Sequence, residues 1–447
     1  AEVYKTASAN IAEGGIGGTV NILTARPLDT KGFHATASIA GVNDSLTASP
    51  RGKITPRGSF MISDTNAEGT FGWLIAGLYD KRDHNEQTVD VQGWATGQDY
   101  SHLNPAYTDI AVPQTLSGSV YQQTRTRRGL SGAIDWKPFD DLTVKLDSMV
   151  SNYRVDSKYV GFGSYMNFPD VQAITADANG TALSYTRGDK GILANDYIMQ
   201  SAPRNAYNEQ TGLNIAYKLS DSTTVDWDSA FSGAWNKQSA NSYFFVVGTR
   251  NTGVNPMWVN NGPSLLPSYS NLISTTDTSD LRAHCCSVGG QEPNVSDKLQ
   301  QHKLHLNSSF SDGLLASLDF GLEYTDRTKT LVSWVTPNSL LCGEYCGYVA
   351  NVPADAIGAH VFHAGELVNG VSPGFPTDWI TYDVNKYLQY LASPAAYNQL
   401  PNAAAFAAAL AANGGSFAAR PDPASYEQIN ERTKSAYGKA NFEGTVF

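Results

Sequence analysis

Apolar and polar positions alternate with a period of two along much of the chain. That is the pattern of strands with one apolar and one polar face. The clearest examples come as pairs joined by short polar turns. Leu130 to Trp136 is followed by a turn at Lys137 to Asp141. In the return, Leu142, Val144 and Leu146 share one face and Thr143, Lys145 and Asp147 the other. A second pair places Leu213, Ile215, Tyr217 and Leu219 on one face, turns at Ser220 to Ser222 and returns with Val225, Trp227 and Phe231. A third carries Leu304, Leu306 and Phe310, turns at Ser311-Asp312-Gly313 and returns with Ala316, Leu318, Phe320, Leu322 and Tyr324. A weaker strand is expected at Phe33 to Gly41 and a short one near Gly58 to Ser63. Another has Phe71, Trp73, Ile75 and Tyr79 on one face, and the last runs from Ala436 to Phe442. This makes about ten strands, each near the ~9–11 residues a tilted strand needs to cross a bilayer.

The connections alternate in length. Short turns lie at one end of the strand pairs. At the other end the links are long, at about 83–124, 156–205, 237–298 and 331–431. Short turns at one rim and long loops at the other is the pattern of an outer-membrane barrel. Structureless loops of that length are uncommon in a soluble sandwich. Opposite the apolar faces sit Asn214, Lys218, Asp226, Asp228, Lys303, His305, Asp319 and Glu323. Such a face looks to solvent in a sandwich and into a wet lumen in a large barrel. Trp136, Tyr217, Trp227 and Phe310 fall on the apolar face near the short turns, where an interfacial aromatic girdle belongs. In the last long link, Asn402 to Gly415 reads as an alanine-rich loop helix, with Phe406 and Leu410 one turn apart and Asn413-Gly414 as its C-cap.

Composition narrows the classes. The 447 residues carry a net charge of −11, which disfavours a nucleic-acid partner. Only 16% of residues are charged, fewer than the ~25% of ordinary soluble domains. A mean hydropathy of −0.30 with no long apolar run excludes a helical membrane span but not a barrel, whose alternating strands average out. Neither a signal peptide nor an initiator Met is visible, and the chain opens and closes inside strand-like segments, so it reads as a fragment.

Several motifs lead nowhere. The glycines at 14–18 run into the β-like Thr19-Val20-Asn21-Ile22, so they do not form a phosphate loop. His302 and His305 lie three apart in a strand and point to opposite faces, so they cannot close on one metal. Arg125 to Arg128 reads as polar barrel rim. No nucleophile elbow, metalloprotease motif or Walker loop is present, and no acidic pair stands out, so catalytic, cofactor and metal residues are all expected to be none. The four cysteines form two close pairs, Cys285–Cys286 and Cys342/Cys346, without a zinc layout.

The run from Glu2 to Leu28 resembles the plug end of TonB-dependent outer-membrane receptors. The matching residues are Glu2-Val3-Tyr4-Lys5-Thr6, the glycine-rich turn Gly14, Gly15, Gly17 and Gly18, the Val20-Asn21-Ile22 strand, and the Thr24-Ala25-Arg26-Pro27-Leu28 exit. The wording is closest to the subgroup common in Caulobacter- and Xanthomonas-like bacteria. Phe320 to Lys329 and Ile134 to Pro138 resemble barrel strands of the same family. The resemblance implies an all-β antiparallel transmembrane barrel, here about ten strands of a ~22-stranded whole. It divides the chain into a plug remnant at 1–30 and barrel wall at 31–447, with the long loops extracellular. It implies energy-coupled uptake of a small nutrient across the outer membrane, driven by TonB, ExbB and ExbD through a TonB box outside this sequence. A passive porin or adhesin is the runner-up, and a secreted carbohydrate-active enzyme comes third.

Strand parity places both cysteine pairs in these outer loops, with Cys342–Cys346 the expected bridge. Trp94, Trp258, Trp334 and Trp379 fall in or at the start of the loops and are the candidate substrate contacts, flat rings being suited to sugars. The alternative is that these rings pack the loops together. The loop at 331–431 is rich in Asp and Glu and holds only Lys386 and Arg420, which would repel an anionic ferric chelate. The substrate expectation is therefore an oligosaccharide or similar neutral nutrient, with a ferric siderophore as the alternative.

Overall fold

The computed structural model describes residues 2–443 apart from 6–7, 10, 12–16, 45–53, 166–169, 189–193, 251–254, 264, 271–273, 312, 341 and 369–373. The protein is all-β and antiparallel. Ten strands follow one another as a meander, each paired with the next: β1 (His34–Val42), β2 (Thr55–Thr65), β3 (Phe71–Asp90), β4 (Thr115–Phe139), β5 (Leu142–Tyr165), β6 (Arg204–Ser220), β7 (Thr223–Asn236), β8 (Asn294–Ser309), β9 (Leu315–Val332) and β10 (Glu427–Phe442). The turns β2–β3, β4–β5, β6–β7 and β8–β9 are short and the links between these pairs are long, as the alternation predicts.

Register carries the side-chain alternation across the whole wall. Trp136 pairs with Val144, Val144 with Ile215, Ile215 with Trp227, Trp227 with Leu304 and Leu304 with Leu322. One residue along, Asp135 pairs with Lys145, Lys145 with Asn214, Asn214 with Asp228, Asp228 with Lys303 and Lys303 with Glu323. An apolar row and a polar row thus run side by side on opposite faces. A slip of one residue at any strand would exchange them.

The apolar row is uncovered. Trp136 is 49% exposed, Leu304 45% and Leu322 58%, and Tyr217, Trp227 and Phe310 near the short turns are exposed as well. The protein presents 24104 Å² of surface, against about 16,500 Å² for a compact globule of this mass. Much of the excess is this wall, which has no second layer. His302 and His305 fall on opposite faces, the first beside Ser229 (2.9 Å) and the second beside Asp319 (3.2 Å).

Two expectations change. The central strands run well past a bilayer's width, and Asp83 and Thr124, taken as loop boundaries, pair with each other inside β3 and β4. Lys81 to Asp90 has no apolar alternation to mark it. Its backbone is nevertheless fully paired with Ser117 to Thr126. The long links are also not structureless. Strands at Ala194–Ser201, Tyr243–Arg250 and Leu281–Val288 add to the sheet beside the far end of β5, and Val171–Ala176, Ala182–Arg187, Met257–Val259 and Ser268–Ser270 form a separate four-stranded sheet. Together with helices at Val384–Leu391 and Ala403–Ala412 they build a loop layer.

That layer holds nearly all of the buried apolar core: Phe162, Tyr197, Phe245, Trp379, Tyr387 and Phe406 are enclosed there. Its tyrosines satisfy their hydroxyls on backbone carbonyls, Tyr345 on Leu391 (2.7 Å) and Tyr387 on Val246 (3.1 Å). The alanine-rich helix packs as expected, with Phe406 and Leu410 buried, Asn413 at its C-cap and Gly414 at φ +77°. Asp383 caps the other helix by accepting from the backbone N–H of Asn385 (2.8 Å) and Lys386 (3.0 Å).

Candidate functional site

The N-terminal segment meets the wall on its polar face. Arg26 precedes a single helical turn at Pro27–Asp29, and its backbone N–H donates to the Asp29 carboxylate at 3.1 Å. The Arg26 guanidinium donates to Asp135 of β4, with Nε 3.1 Å from Oδ1, and to Asp147 of β5. The Asp135 side chain is only 3% exposed. A carboxylate so enclosed needs a cation beside it.

Pro27 anchors the same turn. It is buried, and its carbonyl accepts from Thr65 Oγ1 at 2.7 Å while that of Thr30 lies 3.0 Å from the same hydroxyl. Gly72, next in line, has no room for a side chain: a Cβ there would lie 2.8 Å from Pro27 Cβ.

Further back, Glu2–Tyr4 pairs with Thr19–Asn21 as a small two-stranded sheet. Asn21 Nδ2 and Tyr4 OH both donate to Glu2 Oε2, at 3.1 and 2.8 Å. Gly18 enters this sheet at φ +138°, and a Cβ there would lie 2.8 Å from the Tyr4 carbonyl oxygen. Both facts demand glycine. Gly17 has open space around it, so crowding does not explain it. Gly14 and Gly15 lie outside the described residues.

Above this docking point the polar face forms a concavity of about 1240 Å³, lined from β5 to β10 and reached by Ala9 and Ile11 of the N-terminal segment. Three of its charged groups, Asp297, Glu323 and Arg327, are matched within the wall. Arg327 pairs with Asp297 (2.6 Å), Lys303 with Glu323 (3.7 Å), and Glu323 also accepts from Gln301 (2.5 Å). Gln210, Ser232 and Thr433 add amide and hydroxyl groups to the lining. Such a surface offers hydrogen bonds to a polar solute. Among the described residues no group of His, Cys, Asp and Glu is arranged to hold a metal ion.

The four candidate tryptophans do not form one surface. Trp258 and Trp379 are enclosed in the loop layer, Trp379 at 0% exposure. Their rings have no open face for a sugar: the packing reading applies to these two. Trp94 is exposed and stands edge-on to Trp258 at 6.1 Å. Trp334 is half-buried in a short strand paired with Arg420–Pro421.

Cys346 is disulfide-bonded. The side chains of Cys285, Cys286 and Cys342 lie outside the described residues, so the expected Cys342–Cys346 pairing does too.

Two buried charges of the loop layer carry no sequence signal. Asp196 is wholly enclosed, accepts from Tyr348 OH at 2.9 Å, and is pushed up by burial to about 7. Arg187 is also enclosed. Neither belongs to a motif, and the groups around them are distant in sequence. No protein-family model, no curated protein and no solved structure matches this chain.

Proposed function

We propose that this chain is the plug end and N-terminal barrel wall of a TonB-dependent outer-membrane receptor. The supporting observation is one relationship: a wall with an uncovered apolar row on one face receives the N-terminal segment, through Arg26 and Pro27, on the other. A row of exposed Trp, Leu and Phe side chains is a poor surface for water and a good one for lipid. The polar concavity then faces a lumen, the short turns face the periplasm, and the loop layer faces outward as the first surface a solute meets.

On this reading the protein moves a nutrient and catalyses no reaction. TonB, ExbB and ExbD supply the force by pulling on a box upstream of these residues. The favoured cargo is an oligosaccharide, taken up by hydrogen bonds along the polar face. A deletion strain tests the proposal. Loss of growth on an oligosaccharide, with normal growth under iron limitation, is the expected result. A defect confined to iron-limited medium would make the cargo a ferric siderophore. Uptake that persists without TonB would reduce the protein to a passive pore.

A further inference from the structure

We infer that the polar face of β3, β4 and β5 carries, at its outer end, a subsite for one neutral sugar ring. Register sets four side chains in line there. Glu86 of β3 pairs with Tyr121 of β4, Tyr121 with Tyr159 of β5, and Tyr159 with Gln200 of the strand Ala194–Ser201. Tyr121 and Tyr159 lie an even number of residues from Asp135 and Lys145, so the row stands on the polar face. Thr88 and Ser119 form a neighbouring rung, and with the row they line a concavity of about 310 Å³. That is the lower end of the range for small-ligand sites and suits a single ring.

The Tyr159 ring lies across Gly161, where an added Cβ would fall 2.5 Å from it. Glycine is what lets the ring lie down along the strand. Tyr121 stands beside it, the centroids 6.3 Å apart and the planes at 58°. Both rings are half-buried and border the concavity, where they offer apolar area to the C–H groups of a sugar. Gln200 is steadied by donating to Gln291 at 2.5 Å. Glu86 is exposed and enters no ion pair among the described residues. The arginines on this stretch of the face are engaged with other groups. Arg82 pairs with Asp44 (2.6 Å), Arg204 with Glu292 (2.7 Å), and Arg125 donates to Gln123 (2.8 Å).

This set selects its occupant. A carboxylate with no cation beside it repels acids and accepts hydrogen bonds from hydroxyls. A sugar hydroxyl both donates and accepts, which suits a carboxylate and an amide next to the hydroxyls of Thr88 and Ser119. An ammonium ion brings donors alone. Position agrees with this. Tyr121 is 15 residues from Trp136 along β4. At ~3.3 Å per residue that is roughly 50 Å of strand, well beyond the ~25 Å apolar band of a membrane barrel. The subsite therefore stands in water on the outer side, where β5 passes into the loop layer. The inference rests on the receptor reading and deepens it: a neutral ring of the cargo is held by this row and not by the four loop tryptophans.

Saturation-transfer NMR on the purified full chain in detergent tests this. The probes are maltose, cellobiose and xylobiose as neutral sugars, glucuronate as an acid and choline as an amine. The expected result is transfer from aromatic protons to the ring C–H protons of at least one neutral sugar. Glu86→Gln and Tyr159→Val should each weaken that binding about tenfold, and Tyr159→Phe should leave it unchanged. Glu86 is exposed, so Glu86→Gln keeps the test in force even where Tyr159→Val misfolds. No transfer to any of the neutral sugars overturns the inference. So does unchanged affinity in Glu86→Gln, or tighter binding of choline or glucuronate than of every neutral sugar. None of these readouts involves transport. Sugar binding with normal growth of the deletion strain would remove the uptake reading and leave the subsite standing.

Discussion

Arg26 and Asp135 stand 109 residues apart in the chain and meet on the polar face, with Nε 3.1 Å from Oδ1. The contact ties the N-terminal segment to β4, and through Asp147 to β5, at the end of the wall with short turns. It is therefore the natural place to ask how firmly that segment is held.

Removing one partner should cost more than removing both. Arg26→Met leaves Asp135 enclosed without its cation, a loss of about 3–5 kcal/mol for a buried pair. Arg26→Met combined with Asp135→Leu should recover most of that. Urea titration of the refolded protein, read by tryptophan fluorescence, gives both values. A single variant as stable as wild type would show that the contact holds nothing.

Gly18→Val should release the small N-terminal sheet without unfolding the wall. The φ of +138° and the nearby Tyr4 carbonyl leave no strain-free position for a β-branched side chain. Limited proteolysis should cut within Glu2–Tyr4 and Thr19–Asn21 in the variant and spare these two strands in wild type. Equal protection would contradict the requirement for glycine.

Asp196 makes the loop layer sensitive to pH. Its folded value of about 7 lies above the ordinary 3.8, so the folded state holds the proton more tightly than the unfolded one. The stabilisation is full below about pH 4, falls as pH rises toward 7 and is then lost. The Tyr348 hydroxyl opposes the shift, and His284, stacked on Tyr348 at 4.2 Å, is itself pushed down by burial toward its neutral form. Asp196→Asn should flatten the dependence of Tm on pH over this range. A wild-type Tm that rises from pH 4 to 7 would contradict the assignment.

Ile75→Lys separates a lipid-facing wall from a water-facing one. Ile75 lies on the apolar face of β3, four residues from Phe71, which pairs with Trp136 of the girdle row. In a bilayer the lysine should cost about 2–4 kcal/mol near the midplane. In water a charge on a residue already 44% exposed should be neutral or raise solubility. Folding into lipid vesicles, followed by heat-modifiable gel mobility, measures the difference.

The wall was legible because most of its strands obey one local rule. Leu213, Ile215 and Tyr217, or Leu304 and Leu306, announce both the strand and its apolar face, and short turns such as Ser220 to Ser222 fix their neighbours. Lys81 to Asp90 was not legible, since pairing there is decided by β4 and not by an apolar pattern. The loop layer was hidden for a related reason. Its strands are short and buried among one another, and Trp258 and Trp379 look in sequence like the exposed Trp94. For the docking site, Arg26 and Pro27 stand in a recognisable run. Asp135, Asp147, Thr65 and Gly72 do not, because only the fold brings residues so distant into reach.

β5 changes neighbour along a single edge. Residues 142–155 pair with β6, whereas residues 159–164 pair with the strand Ala194–Ser201. The described residues between Tyr165 and Arg204 therefore meet β5 along the upper part of that edge and take no part in the pairing of residues 142–155 with β6. Insertions or deletions there shift no rung of the lower ladder, so they cannot turn the apolar row toward the polar side. The strand works as a splice between a part whose length is dictated by its surroundings and a part free to change with whatever it must recognise.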